Sequence, residues 1–220
     1  MKRIRCFTLG FGLIAAVSVA NHLRFGAAAA PLPDSNFVLV AHGGAGDYSN
    51  MKPEQVEMRR AAMLKAVQAG YTILAKKGSS LDAVEATIRV MEDSGLFDAG
   101  RGSYYTREGV PEMDAAIMDG RTLNAGSVAS LKHVANPIHL ARLVMEKTPH
   151  VMLVGEGAEE FAKSQGIELV SPYSFFNERE WERYKNAKSA EEKKKSAKFV
   201  ANEEHGTVGV VALDQAGNLA

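Results

Sequence analysis

The sequence predicts an α+β fold built from layered helices and sheets. Two observations support this class: long segments with an apolar residue at every third or fourth position, and short apolar runs typical of strands. These segments do not alternate as regular βαβ units, which argues against a doubly wound parallel sheet. No internal repeat is visible, and the 220 residues suffice for one domain with its own core.

The first thirty residues have the pattern of a secretory signal peptide (1–30). Basic residues near the start precede an apolar run from 6 to 20, which is shorter than the roughly 20 residues of a membrane span. Small residues offer cleavage sites after Ala20 or near Ala30. An uncleaved membrane anchor is the alternative. We expect an exported protein, periplasmic or secreted, with no membrane segment after removal of the signal.

The composition bears on three features: a nucleic-acid partner, a disulfide and a cysteine-rich metal site. The formal net charge is zero, and without residues 1–30 the chain keeps 22 basic against 26 acidic residues. Nothing in this balance favours a nucleic-acid partner. The single cysteine, Cys6, lies in the predicted signal peptide, which excludes an intrachain disulfide and a cysteine-rich metal site.

The predicted elements begin with a buried strand at 37–42, which runs into a glycine-rich turn. Four helices are predicted, from Pro53 to Gly78, from Ser80 to Met91, from Pro137 to Met145 and from Gly155 to Gln165. Ser49 or Asn50 is the predicted cap of the first, and Asn136 is that of the third. Further strands are predicted at Met113–Met118, at Gly126–Leu131, at Val151–Val154, and from Thr207 to Leu213 before a hairpin turn at 214–218.

The segment 178–205 differs in character from the rest of the chain. From Glu178 to Glu204, 15 of 27 residues are Asp, Glu, Lys or Arg. Such a composition buries little apolar surface. We therefore predict a charged flexible linker, with a solvated helix as the alternative, that ends where an apolar strand begins at Thr207.

Several familiar sites are not matched. His42-Gly43-Gly44 could imitate an esterase oxyanion loop, but no Gly-x-Ser-x-Gly motif occurs. No phosphate-binding loop or dinucleotide fingerprint is present. The spacing of His133 and His139 does not favour a metal site. Asp114 and Asp119 lie at the two ends of one predicted strand, too far apart for a glycosidase carboxylate pair.

The bond between Gly206 and Thr207 is a candidate self-cleavage site. A threonine hydroxyl needs a base beside it, and its own α-amine can be that base once the preceding bond is cut. An α-amine titrates at about 7.7–8.0 and can accept a proton near neutrality. Glycine before the bond removes the crowding of a Cβ. On local sequence alone, a threonine that opens an ordinary strand is the commoner case.

Seven segments occur in a characteristic order: Ala41–Gly46, Leu96–Gly102, Met113–Gly120, Asn136–Pro137, Pro149–Met152, Gly155–Ala158 and Gly206–Asp214. In this order they resemble the plant-type L-asparaginase/isoaspartyl peptidase family of N-terminal nucleophile hydrolases. The resemblance covers the chain from about residue 37 to its end.

The resemblance implies a four-layer αββα sandwich, incomplete in this chain. The precursor would cut itself between Gly206 and Thr207, giving an α region (31–206) and a β region that starts at Thr207. Thr207 would then be the catalytic nucleophile that hydrolyses β-aspartyl amide bonds, in asparagine or in β-aspartyl dipeptides. No organic cofactor is implied, and the family suggests a dimer of precursors.

The resemblance also implies a structural sodium ion bound by backbone carbonyl groups after the second helix. The matching carbonyls are those of Met91, Glu92, Ser94, Phe97, Ala99 and Arg101. Ligation by carbonyl oxygens does not depend on the side chains, so substitutions there need not abolish the site.

Two departures from the family pattern affect these expectations. Asp98 occupies a substrate-side position where the family usually has Asn, so we expect weaker substrate binding unless Asp98 is paired, with Arg101 as the candidate partner. The family also continues well past Ala220 with substrate-gripping motifs, so we expect this chain to be truncated and by itself inactive. A partner-dependent remnant and a glycosylasparaginase-like amidase are the alternatives.

Overall fold

The computed structural model describes residues 36–44, 51–193 and 207–220, with side chains to residue 190 in the second range. The predicted signal peptide, the predicted caps Ser49 and Asn50, and Gly206 lie outside these residues. The described residues contain both helices and strands in quantity, which confirms the α+β class.

The described elements are five strands and five α-helices. The strands are β1 (Val38–His42), β2 (Met113–Met118), β3 (Ala125–Leu131), β4 (Met152–Val154) and β5 (Gly209–Leu213). The helices are α1 (Pro53–Ala75), α2 (Ser80–Ser94), α3 (Pro137–Lys147), α4 (Gly155–Ser164) and α5 (Glu178–Lys193), with short 3-10 helices at Gly100–Gly102 and Pro172–Phe175. Within the described ranges, none of the helices is both long and apolar enough to traverse a bilayer.

The first sheet pairs β1 with β5 in antiparallel register. Helix α1 covers one face, where a Cβ on Gly70 would lie 2.8 Å from Leu39 Cδ2. Val38 and Val40 alternate with Leu39 and are 52% and 60% exposed. The prediction of a buried strand is therefore wrong for one of its two faces, because successive strand residues point to opposite sides.

The second sheet has the order β2-β3-β4, with β2 and β3 antiparallel and β4 parallel to β3. Helix α3 lies close to β3 because Gly126 has no side chain: a Cβ there would lie 2.8 Å from Met145 Cβ. Ile117, Val128 and Val144 are among the buried apolar residues of the core. Burial of this apolar surface is the main term that stabilises the sheet–helix contact.

The helix termini agree with the sequence signals to within a few residues. Helix α2 begins at Ser80, and the Ser79 hydroxyl oxygen accepts a hydrogen bond from the backbone N–H of Asp82 at 3.1 Å. It ends at Ser94, and the following Gly95 has a φ of 65°, in the left-handed region that favours glycine at a helix C-terminus. Helix α3 begins at Pro137 as predicted, but Asn136 makes no side-chain capping hydrogen bond.

Residues 178–193 form helix α5, which was the alternative to the predicted flexible linker. Trp181 stacks on Tyr184 with ring centroids 5.1 Å apart and meets Tyr105 edge-on at 5.4 Å. Glu180 is 4% exposed. These contacts give the charged segment an apolar face that holds it to the fold, which its overall composition conceals. Residues 194–205 of the predicted linker lie outside the described residues.

Candidate active site

A cavity of about 690 Å³ contains the N-terminal end of the β5 segment. Its walls come from α2, from the loop after α2, from β2 and β3, and from residues 207–210. A volume of this size falls in the range of small-molecule sites, about 300–1,000 Å³. Residues of both sheets line the cavity, so it lies between them.

Thr207 lies in the wall of this cavity and is exposed. The strand begins at Gly209, two residues later than the predicted start at Thr207. Gly209 pairs with His42, the last residue of β1, so the pairing of the two strands places Thr207. The Thr207 hydroxyl makes a long hydrogen bond of 3.5 Å to the carbonyl O of Val208. The predicted cleavage partner Gly206 is outside the described residues.

The end of β1 also contacts the loop after α2. A Cβ on Gly43 would lie 2.7 Å from Met63 Cε and 2.9 Å from Phe97 Cε1. Phe97 is 4% exposed, so its ring fills this space. Because Gly43 has no side chain, the end of β1 and the loop that carries Phe97 can approach each other closely. This contact brings the loop after α2 next to β1, the partner of β5.

Asp98 lies in the same cavity wall and is half-buried. Burial, followed by the charge of Glu180, raises the pKa of Asp98 to about 6, although a hydrogen bond from the backbone N–H of Tyr104 acts in the opposite direction. The positive charges that lower the pKa of Asp98 are those of Arg183 and Arg179. The carboxyl is therefore partly neutral near pH 6.

Arg101 was predicted as the partner of Asp98, but its side chain is engaged elsewhere. It is exposed, and its Nη2 donates a hydrogen bond to the carbonyl O of Ser174 at 3.2 Å. Arg101 lies in the 3-10 helix Gly100–Gly102. Compensation of the Asp98 charge comes from helix α5 and not from this neighbour in sequence.

Glu92 contributes a buried carboxyl to the cavity. It is 2% exposed, and its Oε1 accepts a hydrogen bond from the backbone N–H of Ile138 at 3.0 Å. Its Oε2 accepts one from Asn136 Nδ2 at 3.1 Å. Burial raises the pKa of Glu92 to about 8, and these hydrogen bonds oppose the shift. Glu92, not Asn136, therefore caps the start of α3.

The described cavity wall has an acidic character. Its ionisable carboxyls belong to Glu92, Asp98, Glu112 and Asp114, and no lysine, arginine or histidine is among the described lining residues. Glu112 is paired with Lys132 at 3.0 Å, and Asp114 accepts a hydrogen bond from the backbone N–H of Ser130 at 2.8 Å. The carboxylates are thus partly compensated from outside the cavity.

A family model described as asparaginase matches residues 35–220 of this chain. The chain belongs to the asparaginase family. This confirms the predicted resemblance. An isoaspartyl peptidase from Salmonella typhimurium is 44% identical over 188 residues, which cover 83% of this chain and 60% of the relative. An isoaspartyl peptidase/L-asparaginase from Mus musculus is 44% identical over 191 residues, covering 85% of this chain and 56% of the relative.

The human isoaspartyl peptidase/L-asparaginase is similar to the same degree, at 43% identity over 186 residues. These residues cover 84% of this chain and 58% of the human protein. The matched part therefore spans between 56% and 60% of the length of these curated asparaginase-family relatives.

The predicted sodium site can be compared with the carbonyl groups after α2. The loop folds back on the end of α2, so that a Cβ on Gly100 would lie 2.7 Å from the carbonyl O of Glu92. A Cβ on Gly102 would overlap the carbonyl O of Phe97. The Met91, Phe97, Ala99 and Arg101 carbonyls each accept a hydrogen bond, from Ser94 Oγ, Ala99 N, Gly102 N and Asn177 Nδ2 respectively. A carbonyl oxygen has a second lone pair. An oxygen-only donor set of this kind suits a hard cation such as sodium.

The cavity contains the predicted residues Thr207 and Asp98. It also contains the side chains of Glu92, Ser103 and Tyr104, which were not predicted from the sequence. A signal for Glu92 is present in the sequence. Glu92 follows Ile88 by four residues, so it lies on the apolar face of α2, where a carboxyl group requires a partner.

Proposed function

We propose that this protein hydrolyses β-aspartyl amide bonds with Thr207 as an N-terminal nucleophile. The observation that supports it most is the placement of Thr207 in the wall of a cavity of about 690 Å³, at the start of the strand that pairs with β1. Curated relatives in the same family carry the names isoaspartyl peptidase and L-asparaginase. The substrates proposed are asparagine and β-aspartyl dipeptides.

The nucleophile would be generated by cleavage of the Gly206–Thr207 bond. The Thr207 hydroxyl oxygen attacks the carbonyl carbon of Gly206, the C–N bond breaks, and the amine nitrogen receives a proton. Water then hydrolyses the resulting ester, which frees the hydroxyl of Thr207 and leaves a carboxylate on Gly206. The product is an α chain and a β chain from one precursor.

In the hydrolysis itself, the free α-amine of Thr207 would take the proton from the hydroxyl as the oxygen attacks the β-carbonyl carbon of the substrate. The C–N bond of the amide breaks and the leaving ammonia or amine receives the proton. The β-aspartyl ester on Thr207 is then hydrolysed by water that the same amine activates. Aspartate is released and the hydroxyl is regenerated.

The other residues of this chain would orient the nucleophile and the substrate. Pairing of Gly209 with His42 fixes the strand behind Thr207. Asp98, from the loop after α2, lines the same cavity as Thr207, although the two residues are far apart in the sequence. A hydrogen-bonding group at this position can contact the polar part of the substrate, and its partial neutrality near pH 6 limits repulsion of a substrate carboxylate.

The wider assembly is part of the same proposal. The two sheets, each with helices on one face, would be the inner layers of an αββα sandwich. Two precursors would associate, and a sodium ion bound by the carbonyls of Met91, Glu92, Ser94, Phe97, Ala99 and Arg101 would keep the loop after α2 in one geometry. No organic cofactor is needed by the chemistry above.

Export is a further part of the proposal. Residues 1–30 would be removed as a signal peptide, after Ala20 or near Ala30, and the protein would act in the periplasm or outside the cell. N-terminal analysis of the protein recovered from its natural host tests this directly. A mature chain that still begins at Met1 contradicts it.

An assay of the protein expressed from its complete reading frame tests the activity. We expect release of ammonia from asparagine and of the free amino acid from a β-aspartyl dipeptide. Thr207→Ala should abolish both reactions, and Thr207→Ser should retain part of the rate because serine keeps a hydroxyl and an α-amine. Activity that survives in Thr207→Ala, or its absence from the unsubstituted protein with either substrate, contradicts the proposal.

A further inference from the structure

The loop from Gly95 to Tyr105 forms one wall of the cavity that contains Thr207. The cavity-lining members of this loop are Asp98, Ala99, Gly100, Ser103 and Tyr104. Within this described stretch, the regular structure consists of the 3-10 helix Gly100–Gly102 and an isolated bridge at Tyr105. A loop with so little regular structure takes its shape from the elements packed behind it.

The side-chain amide of Asn177, the residue before α5, connects the two ends of this loop. Its Nδ2 donates a hydrogen bond to the carbonyl O of Gly95 at 2.8 Å and to that of Arg101 at 3.3 Å. Its backbone N–H donates to the hydroxyl oxygen of Tyr105 at 3.4 Å. One asparagine therefore spans the segment that carries Asp98.

Arg179 adds a second attachment from the first turn of α5. Its Nη1 donates to the carbonyl O of Leu96 at 3.2 Å, and its Nε donates to Glu180 Oε1 at 2.6 Å. The rigid fork of a guanidinium can make both bonds at once, which a single ammonium group cannot do in the same geometry. Glu180 is 4% exposed and places its charge beside Asp98.

Aromatic contacts extend the same interface along the helix. Arg183 Nη1 donates to the hydroxyl of Tyr104 at 2.9 Å, and its guanidinium lies 4.4 Å from the centre of that ring. Trp181 packs edge-on against Tyr105. Cation–π and aromatic pairs at these distances are attractive. Because Tyr104 is itself a cavity residue, the contact reaches the site directly.

We propose that Asn177 and Arg179 are positioning residues that hold the loop Gly95–Tyr105 in the shape required for substrate binding. We call the segment from Asn177 to Tyr184 the α5 clamp. The effect of the clamp on substrate rests on the function proposed above, whereas its effect on the loop does not. Thr207 is placed by the β1–β5 pairing, so loss of the clamp affects the binding wall and leaves the nucleophile in place.

The experiment uses Asn177→Ala in the protein expressed from its complete reading frame, with Asn186→Ala as the matched control. Asn186 is an exposed asparagine of α5, the helix that follows Asn177. We expect amide hydrogen exchange over 95–104 to accelerate about tenfold in Asn177→Ala, as loss of a hydrogen bond or two allows. Exchange in β2 should not change. KM for asparagine should rise about tenfold, with kcat within about threefold of the unsubstituted value.

Arg179→Lys is the second variant, because it keeps the positive charge beside Glu180 and loses the fork. It should show the same pattern with smaller changes, and it covers the case in which Asn177→Ala does not fold. Unchanged exchange over 95–104 in the folded variants overturns the clamp whatever the activity. Faster exchange with an unchanged KM overturns the positioning role. If the unsubstituted protein hydrolyses neither substrate, the proposed function fails, while the exchange measurement still decides whether the clamp exists.

Discussion

The carboxylate of Asp214 accepts a hydrogen bond from the backbone N–H of Ser80 at 3.1 Å, which joins the turn after β5 to the first residue of α2. Its other oxygen accepts hydrogen bonds from the backbone N–H groups of Ala216 at 3.0 Å and Asn218 at 2.9 Å. Asp214 is 4% exposed. Since β5 begins two residues after Thr207, this carboxylate fixes the far end of the strand that carries the proposed nucleophile.

Removal of this carboxylate should destabilise the fold. Asp214→Ala leaves three backbone N–H groups without their acceptor, so we expect the free energy of unfolding to fall by about 2–4 kcal/mol. Urea unfolding at pH 7 measures the change. Glu168→Ala, at an exposed position, is the control and should change it by less than about 0.5 kcal/mol. Equal stability of the two variants would refute the structural role of Asp214.

Asp214 should also make the fold sensitive to acid. Burial alone would raise the pKa of Asp214, but hydrogen bonds from the backbone N–H groups of Asn218 and Ser80 outweigh it and hold the pKa below its ordinary value. Its stabilising effect is therefore complete above the unfolded-state pKa of about 3.9 and is lost as the pH falls through the lower folded-state pKa. The difference in unfolding free energy between the unsubstituted protein and Asp214→Asn should shrink between pH 5 and pH 2. A difference that stays constant over this range would contradict the assignment.

Asp98 should weaken substrate binding above its pKa. Burial, followed by the charge of Glu180, raises the pKa of Asp98 to about 6, so the carboxyl gains its negative charge as the pH rises through 6. A substrate with a free carboxylate is then repelled. We expect KM for asparagine to increase several-fold between pH 5 and pH 7.5, and Asp98→Asn to remove most of that increase. The same KM in both proteins at pH 7.5 would show that the charge at position 98 does not act on the substrate.

Glu92 should reduce stability as the pH rises. Burial raises the pKa of Glu92 to about 8, so the folded state binds a proton that the unfolded state releases near pH 4. Unfolding free energy should therefore decrease from about pH 5 to pH 8, with a slope of at most about 1.4 kcal/mol per pH unit from this group. In Glu92→Gln this part of the slope should vanish. Parallel stability profiles for the two proteins would contradict the raised pKa.

Glu92→Ala provides a separate test of the cap on α3. It removes the acceptor for the backbone N–H of Ile138 and for the amide of Asn136. We expect a loss of about 2–3 kcal/mol at pH 7, larger than that for Glu92→Gln, which keeps an oxygen for Ile138. Urea unfolding of both variants distinguishes the loss of the cap from the loss of the ionisable group.

Much of the fold was accessible from local sequence signals. Pro53, Ser79 and Pro137 each begin or cap a helix in the structure, because fixed φ angles and short hydroxyl side chains act within a few residues. The partner of β1 was not accessible, since Val38–His42 pairs with a strand at the other end of the described chain. Pairing over such a distance depends on the whole fold and leaves no local pattern.

The candidate site also contains some residues that were predicted from the sequence and others whose contacts only the structure shows. Thr207 and Asp98 were predicted from the resemblance of their segments to a family, because on local sequence alone a threonine that opens an ordinary strand is the commoner case. The contacts of Asn177 and Arg179 with the loop after α2 could not be predicted, because the composition of 178–205 is dominated by charge. The apolar face of this segment consists of Trp181 and Tyr184, and two aromatic residues are too few to give a recognisable pattern. Their role follows only from their contacts with Tyr105 in the structure.

The proposed activity depends on the release of Thr207 as an N-terminal nucleophile. The most direct measurement is intact-mass and N-terminal analysis of the protein expressed from its complete reading frame, beside Thr207→Ala. We predict two chains, one of which begins at Thr207, from the unsubstituted protein, and a single uncut chain from the variant. A single uncut chain from both, or the same cut in both, would contradict the account.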